Sequence, residues 1–327
     1  MNKNIKKSKS NYCIQSPSLT NFVNSTSTSD LEQEKCLSIS EDSSYLIDNP
    51  YPKDENEDIL INLSKKQRKL SDYSNDEGIA FSSRESILNW AEKVLGSVNL
   101  TEKEKESIFH RFSMCFDLVM DKLFIERQSI TVEDDLKKMT ITIFLLTYKF
   151  EGFTIGKVSI KNLVEAFLSS MNINNEELEN TIQQTELNIL ALLDYNPFCL
   201  ENNIYELSLI LFDLLKNKFF ISNEIIAIIQ NKLHESNKNV LISNKLLFEC
   251  TPLDKAAISI TSILLLLKKY LYEEMKNTGN SKLLFLEVEN LDKNFFNYLK
   301  NELKVLKIRS WNEFKNFCIF FEQQLEE

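Results

Sequence analysis

The chain has 327 residues, 43% of them hydrophobic, and a formal net charge of −10. That length supplies a sizeable buried core, and the acidic balance argues against general nucleic-acid affinity, which needs a basic face. Five glycines and five prolines against 22 phenylalanines are too few turn residues for a sandwich or barrel, so the composition points to an all-α fold.

Residues 1–78 are rich in Ser, Asn, Asp, Glu and Lys and show no sustained apolar period. Such a segment buries too little apolar surface to offset its ordering entropy, so it reads as a disordered tail. Two basic runs within it, Lys3–Lys9 and Lys65–Lys69, have the composition of nuclear-import signals or of solvated charge, and Ser16-Pro17 that of a proline-directed phosphorylation site. No apolar run follows the first lysines, so no signal peptide is expected and the chain reads as intracellular, in nucleus and/or cytoplasm.

Helices are predicted from Ser82 onward. Ser82 and Glu85 have the spacing of a capping box, opening a helix to about Leu95 that Gly96 is placed to end. Thr101 and Glu104 repeat the signal for a second helix to about Phe124. A third begins near Glu133 and stops at Gly152, and its stretch MTITIFLLTYKFEG is apolar on nearly every side, the pattern of a helix buried within a helical domain. It is shorter than the roughly 20 apolar residues a bilayer span needs. A fourth helix is marked by Ile160, Leu163, Val164, Phe167 and Leu168, and a fifth runs from Asn174 or Asn175 to about Leu193 before Pro197.

A second set follows: Ile204–Phe219, Asn223–His234, a helix with Thr251 as N-cap, Pro252 at its first position and Asp254 at its third, a short element over Ser281–Glu289, Leu291–Leu306, and a last helix capped by Ser310 and Glu313 and running to about Leu325. The run AAISITSILLLLKKY makes the third helix of this set nearly all apolar as well. Two blocks of about five helices, each with its apolar helix in third place, form a repeat of architecture with little residue identity. The expected division is a tail over 1–78, a first helical domain over 79–198 and a second over 199–327.

Six cysteines (13, 36, 115, 199, 250 and 318) show no metal-ligand spacing and read as free thiols. There is no Gly-rich phosphate loop and no nucleophile motif, and His110 and His234 sit in no recognisable triad. Neither a metal nor a cofactor is expected, and the residues point away from an enzyme.

Particular residues resemble the cyclin box. A cyclin's first helix carries an Arg followed six residues later by a Trp, matched here by Arg84 and Trp90 in RESILNW. The family pairs that Arg with an Asp near the end of the second helix; Asp121 fits best, with Asp117 the other candidate. The family's Lys-Tyr/Phe-Glu-Glu run is matched by Lys149, Phe150 and Glu151, with Gly152 in place of the second Glu. Glu186, in TELNILALLDY, falls on the glutamate of the fifth cyclin-box helix.

The resemblance implies two tandem five-helix domains and a non-catalytic partner of a cyclin-dependent kinase, with no cofactor. It assigns Lys149, Glu186, Phe150, Glu151 and Phe153 to kinase binding, and Arg84, Trp90 and Asp121 to holding the first two helices together. Many cyclins also dock substrates on an apolar patch of the first helix. Here Ile87 and Trp90 would remain of it, while Ser83 and Ser86 replace the family's Met and Ile, so the patch is expected in degenerate form. Kinase substrates or inhibitors are the further partners implied; nucleic acid and membrane are not. A cyclin-fold scaffold without kinase activation is the alternative, and a transcription-related cyclin a more distant one.

Overall fold

The computed structural model describes residues 53–67, 69–74, 78–152, 175–195, 203–278 and 281–326. The fold is all-α, with no strand among the described residues. The helices are α1 (Lys53–Lys66), α2 (Ala80–Ser97), α3 (Glu102–Ile125), α4 (Glu133–Gly152), α5 (Asn175–Leu192), α6 (Ile204–Phe219), α7 (Asn223–Ile242), α8 (Pro252–Thr278), α9 (Lys282–Val288), α10 (Leu291–Asn297) and α11 (Trp311–Gln324).

Two of these helices organise the packing. In α8 every residue from Leu253 to Leu264 is buried, so its neighbours must enclose it; α6, α7, α9, α10 and α11 do so. Its start follows the sequence reading. Pro252 takes the first position, where a missing N–H costs nothing, and Thr251 Oγ1 accepts from Asp254 N at 3.2 Å while Asp254 Oδ2 accepts from Thr251 N at 3.0 Å. In α4 the residues from Thr140 to Tyr148 are buried without a break, against α2, α3 and α5. Its first turn carries Glu133, Asp134 and Asp135 and its last Lys149, each complementing the helix dipole. The groups meet along α2 and α3 on one side and α6 and α7 on the other, within one compact unit, Asn49–Glu327.

Other helices follow expectation in part. The Thr101–Glu104 capping box forms, with Glu104 Oε2 accepting from Thr101 N at 2.7 Å. Ser310 Oγ accepts from Glu313 N at 3.2 Å and opens α11. The box expected at Ser82 does not form: α2 begins at Ala80, Ser82 Oγ donates to Ile79 O at 3.0 Å, and Glu85 instead accepts from Asn244 N at 3.3 Å. The helix also runs through Gly96 to Ser97. α7 extends past His234 to Ile242. The helix expected over Leu291–Leu306 ends early: Tyr298–Glu302 is a π-helical turn, Lys304 takes a left-handed φ of 58°, and Asp254 Oδ1 receives Lys307 N at 2.8 Å and Ile308 N at 3.3 Å. One carboxylate thus starts α8 and ends that segment. The expected fourth helix over 160–168 and Pro197 lie outside the described residues, as do Lys3–Lys9, Ser16-Pro17 and residues 1–52 generally.

Reading 1–78 as tail reaches too far. Lys53–Lys66 is helical and packs on α6. Its buried positions Asn56, Leu60, Ser64 and the following Gln67 form one helical stripe with a single apolar member, which explains the weak sequence signal. Gln67 Oε1 accepts from Leu253 N at 2.9 Å, Ser71 N donates to Asp121 Oδ1 at 2.7 Å, and the buried Tyr73 ring meets Phe248 at 4.8 Å, Phe81 at 6.2 Å and Phe124 at 6.3 Å. The segment is therefore bonded to both groups of helices. It also folds part of the Lys65–Lys69 run: Lys65 and Lys66 end α1 as exposed cations, and Gln67 is buried beside them. Among the described residues no helix is long and apolar enough to cross a membrane.

Leu60→Ala is expected to destabilise the protein by about 2–4 kcal/mol, because Leu60 is fully buried. Urea denaturation followed by circular dichroism measures this; a loss near zero would return α1 to the status of a loosely held tail.

Candidate functional site

Lys149 and Glu186 come together. Lys149 lies in the last turn of α4 and Glu186 in the second half of α5, 37 residues on, and Lys149 Nζ donates to Glu186 Oε2 at 2.5 Å. The packing of α4 on α5 sets this contact. Both side chains stay partly open, at 33% and 21% exposure, so the pair sits at the edge of the core rather than within it. An ammonium has three N–H donors and a carboxylate several acceptor positions, and this contact uses one of each. Phe150, beside Lys149, is 51% exposed, and Leu187, beside Glu186, is 54% exposed. Each member of the pair thus has an exposed apolar residue next to it in sequence, and aromatic side chains such as Phe150 are enriched at interfaces. Glu151 continues α4, and its side chain and all of Phe153 lie outside the described residues.

Arg84 is fully buried on α2 and gives all five of its N–H donors to acceptors. Nε and Nη2 form a fork on Asp117 of α3, at 2.6 Å and 2.8 Å. The remaining donors reach Leu241 O at 2.9 Å, Ile242 O at 2.8 Å and Asn244 Oδ1 at 3.2 Å. Burial opposes the charge, and the Asp117 carboxylate more than restores it, so the guanidinium pKa lies above its ordinary value. The partner is therefore Asp117 and not Asp121, which had the better sequence match. The two differ by four residues, about one helical turn, so both share the inner face of α3; Asp121 is taken by the backbone of Ser71 instead.

Trp90 and Ile87 also meet. They line a groove of about 250 Å³ between α2 and α4, with Ser83, Ser86, Leu136 and Lys137. The Trp90 ring packs on Phe144 at 5.9 Å. The groove is mostly apolar, with Ser83, Ser86 and Lys137, the last held by Glu133 at 2.7 Å, as polar members of its lining.

The two histidines make no hydrogen bond to each other. His110 is fully buried, neither ring nitrogen has a hydrogen bond among the described residues, and burial, then the proximity of His234, pushes its pKa down to about 3. His234 Nδ1 meets Glu106 at 2.8 Å, and that contact raises its pKa. Cys115, Cys250 and Cys318 are free and buried; burial pushes the Cys115 thiol up to about 12 and the other two well above their ordinary value. Cys13, Cys36 and Cys199 lie outside the described residues. No cluster of His, Cys, Asp and Glu able to hold a metal occurs among the described residues.

No protein-family model, no curated protein and no solved structure matches the chain.

Two stability predictions follow from these buried groups. Asp117→Asn leaves Arg84 short of its charge partner and is expected to cost about 3–5 kcal/mol, whereas Asp121→Asn costs about 1 kcal/mol, both read from urea midpoints. Equal losses would contradict the Arg84–Asp117 assignment. His110 takes up a proton near pH 6.5 when unfolded and only near pH 3 when folded. Its contribution is therefore complete above pH 6.5 and declines as the pH falls toward 3, by about 1.4 kcal/mol per pH unit. His110→Phe is expected to show a shallower loss of stability between pH 6 and pH 4 than the wild type; identical pH profiles would show that the buried imidazole does not contribute.

Proposed function

We propose that the protein is a cyclin-like regulatory subunit of a cyclin-dependent kinase, with two tandem five-helix domains, acting in the nucleus or cytoplasm in control of the cell cycle. The observation that carries this reading is the Lys149–Glu186 pair, formed across two helices at a partly open surface, with exposed Phe150 and Leu187 next to its members in sequence. The buried Arg84 fork, with Trp90 packed on the central helix, supports it further.

The mechanism needs no chemistry from this chain. A kinase that is inactive alone must bring a glutamate on its movable helix inward, to pair with the lysine that holds the ATP phosphates. A partner achieves this only by binding the inward arrangement more tightly than the outward one. Lys149 would donate to backbone carbonyls of the incoming segment and Glu186 would accept from its N–H groups. Their mutual bond holds both side chains in place beforehand, which reduces the entropy lost on docking. Phe150 and Leu187 would supply apolar contact on either side of the pair. Glu151 and Phe153 belong to the same proposed surface.

The second reading is a scaffold with this architecture that binds partners without activating a kinase. Gly152, where the cyclin motif has its second glutamate, and the two serines, Ser83 and Ser86, that line the Ile87/Trp90 groove favour it. A transcription-related cyclin is a third reading, which no particular residue favours.

The double variant Lys149→Ala/Glu186→Ala distinguishes the first two. With cyclin-dependent kinases purified singly, the wild type is expected to co-purify with one of them and raise its activity at least about 100-fold, and the folded double variant to lose at least about tenfold in affinity. Absence of binding to every such kinase by a folded wild type would leave the scaffold reading.

A further inference from the structure

A second feature lies away from the Lys149–Glu186 surface. Between α3, the start of α6, the end of α7 and the start of α8 is a cavity of about 100 Å³. Met114, Leu118, Ile204, Leu241 and Leu247 supply apolar walls, and Lys255, from the first turns of α8, lines it with them. Lys255 is 6% exposed, and its amine makes no hydrogen bond or ion pair among the described residues.

The nearby carboxylates are already occupied. Asp117, which also lines the cavity, gives both oxygens to Arg84. Asp254 accepts from Thr251 on one oxygen and from Lys307 and Ile308 on the other. A desolvated ammonium facing apolar walls is costly unless something in the cavity accepts its hydrogen bonds. The groups facing it are Asp117 of α3, Arg84 of α2, Cys250 before α8 and Asp254 of α8 itself. Burial outweighs the carboxylates among them and pushes the amine pKa down to about 8, so at neutral pH it remains a cation lacking an acceptor.

We propose that this cavity is a binding site for a small monocarboxylate whose carboxylate pairs with Lys255 and whose short aliphatic chain lies against Met114, Leu118 and Leu247. The size follows from the volume: a cavity of about 150 Å³ holds benzene, so about 100 Å³ fits a chain of about three or four carbons. The charge follows from the donors. One ammonium matches one carboxylate, whereas a phosphate dianion needs several donors, and apart from Lys255 the lining offers only apolar side chains, the Cys250 thiol and Asp117, whose oxygens Arg84 holds. A neutral alcohol of the same length would leave the ammonium without a charged partner. The site is independent of the kinase reading and stands or falls separately.

Butyrate is the probe, and the ¹³C-labelled methyl of Met114 in the full chain is the reporter. Butyrate is expected to shift that resonance saturably with a Kd of about 1 mM at pH 7, the range open to so small a ligand. 1-Butanol should bind at least about tenfold more weakly. Above pH 8 the affinity for butyrate should fall as Lys255 loses its proton, by about tenfold per pH unit once the amine is mostly neutral. Lys255→Met, which keeps the side-chain bulk without the charge, should weaken butyrate by at least about tenfold and abolish the pH dependence. Equal binding of butanol and butyrate, or an affinity constant between pH 7 and pH 9, would overturn the carboxylate assignment. No shift of Met114 at about 50 mM butyrate would mean that water alone solvates the amine, and would overturn the site itself. Should the Lys255 variant not fold, the butanol comparison and the pH series on the wild type decide the matter unaided.

Discussion

The rest of the structure depends on the burial of one guanidinium. Taking Arg84 out of water costs several kcal/mol, and the cost is offset only where a charge partner and good hydrogen-bond geometry are both present. Asp117 supplies the charge in a two-bond fork, the geometry a guanidinium matches best. The other acceptors are less local. Leu241 O and Ile242 O belong to the last turn of α7, where carbonyls have no partner within the helix. A cation at that end meets both the unpaired carbonyls and the negative end of the helix dipole. Arg84 therefore joins α2, α3 and the end of α7 at one point, and sliding any of the three would strand a buried charge.

A second node completes the frame. Asp254 caps α8 with one oxygen and holds the backbone of Lys307 and Ile308 with the other, so the most enclosed helix and the segment before α11 share one carboxylate. The chain between α1 and α2 threads past both nodes: Gln67 bonds the first turn of α8, Ser71 bonds Asp121, and Tyr73 fills an aromatic cluster with Phe81, Phe124 and Phe248. Lys255 is adjacent to this junction, which explains why a cation can be so deeply buried there. It feels Asp117 and Asp254 without bonding either. The Lys149–Glu186 pair lies elsewhere, between the last turn of α4 and the second half of α5.

Sequence patterning reached some of this and missed the rest for identifiable reasons. The capping signals at Thr101, Thr251 and Ser310 formed because each joins residues three apart; Asp254 keeps one oxygen for its cap while the other meets Lys307 and Ile308. The same signal at Ser82 failed because Glu85 had a distant alternative in the backbone of Asn244. α1 escaped notice because its buried stripe is mostly polar, its burial coming from bonds to residues far along the chain. Asp121 and Asp117 are equivalent by helical period, and only the approach of α2 and the backbone of Ser71 separates their roles. Lys255 had no signal at all, since a lysine in the first turns of a helix is ordinarily solvated.

By itself the amino-acid sequence determined the helical class, the bounds of α3, α4 and α6, and the two helices to be enclosed on all sides. These follow from local energies: periodic apolar residues, caps, and the scarcity of glycine and proline. The resemblance assigns Lys149 and Glu186 to one role, but their contact at 2.5 Å is a product of the α4–α5 packing. Which aspartate holds Arg84, where α1 docks and how a cation comes to line an apolar cavity were decided by tertiary structure alone. In each case the alternatives are nearly equal in local energy, and the choice rests on desolvated charges and backbone groups that find partners only once distant segments have packed.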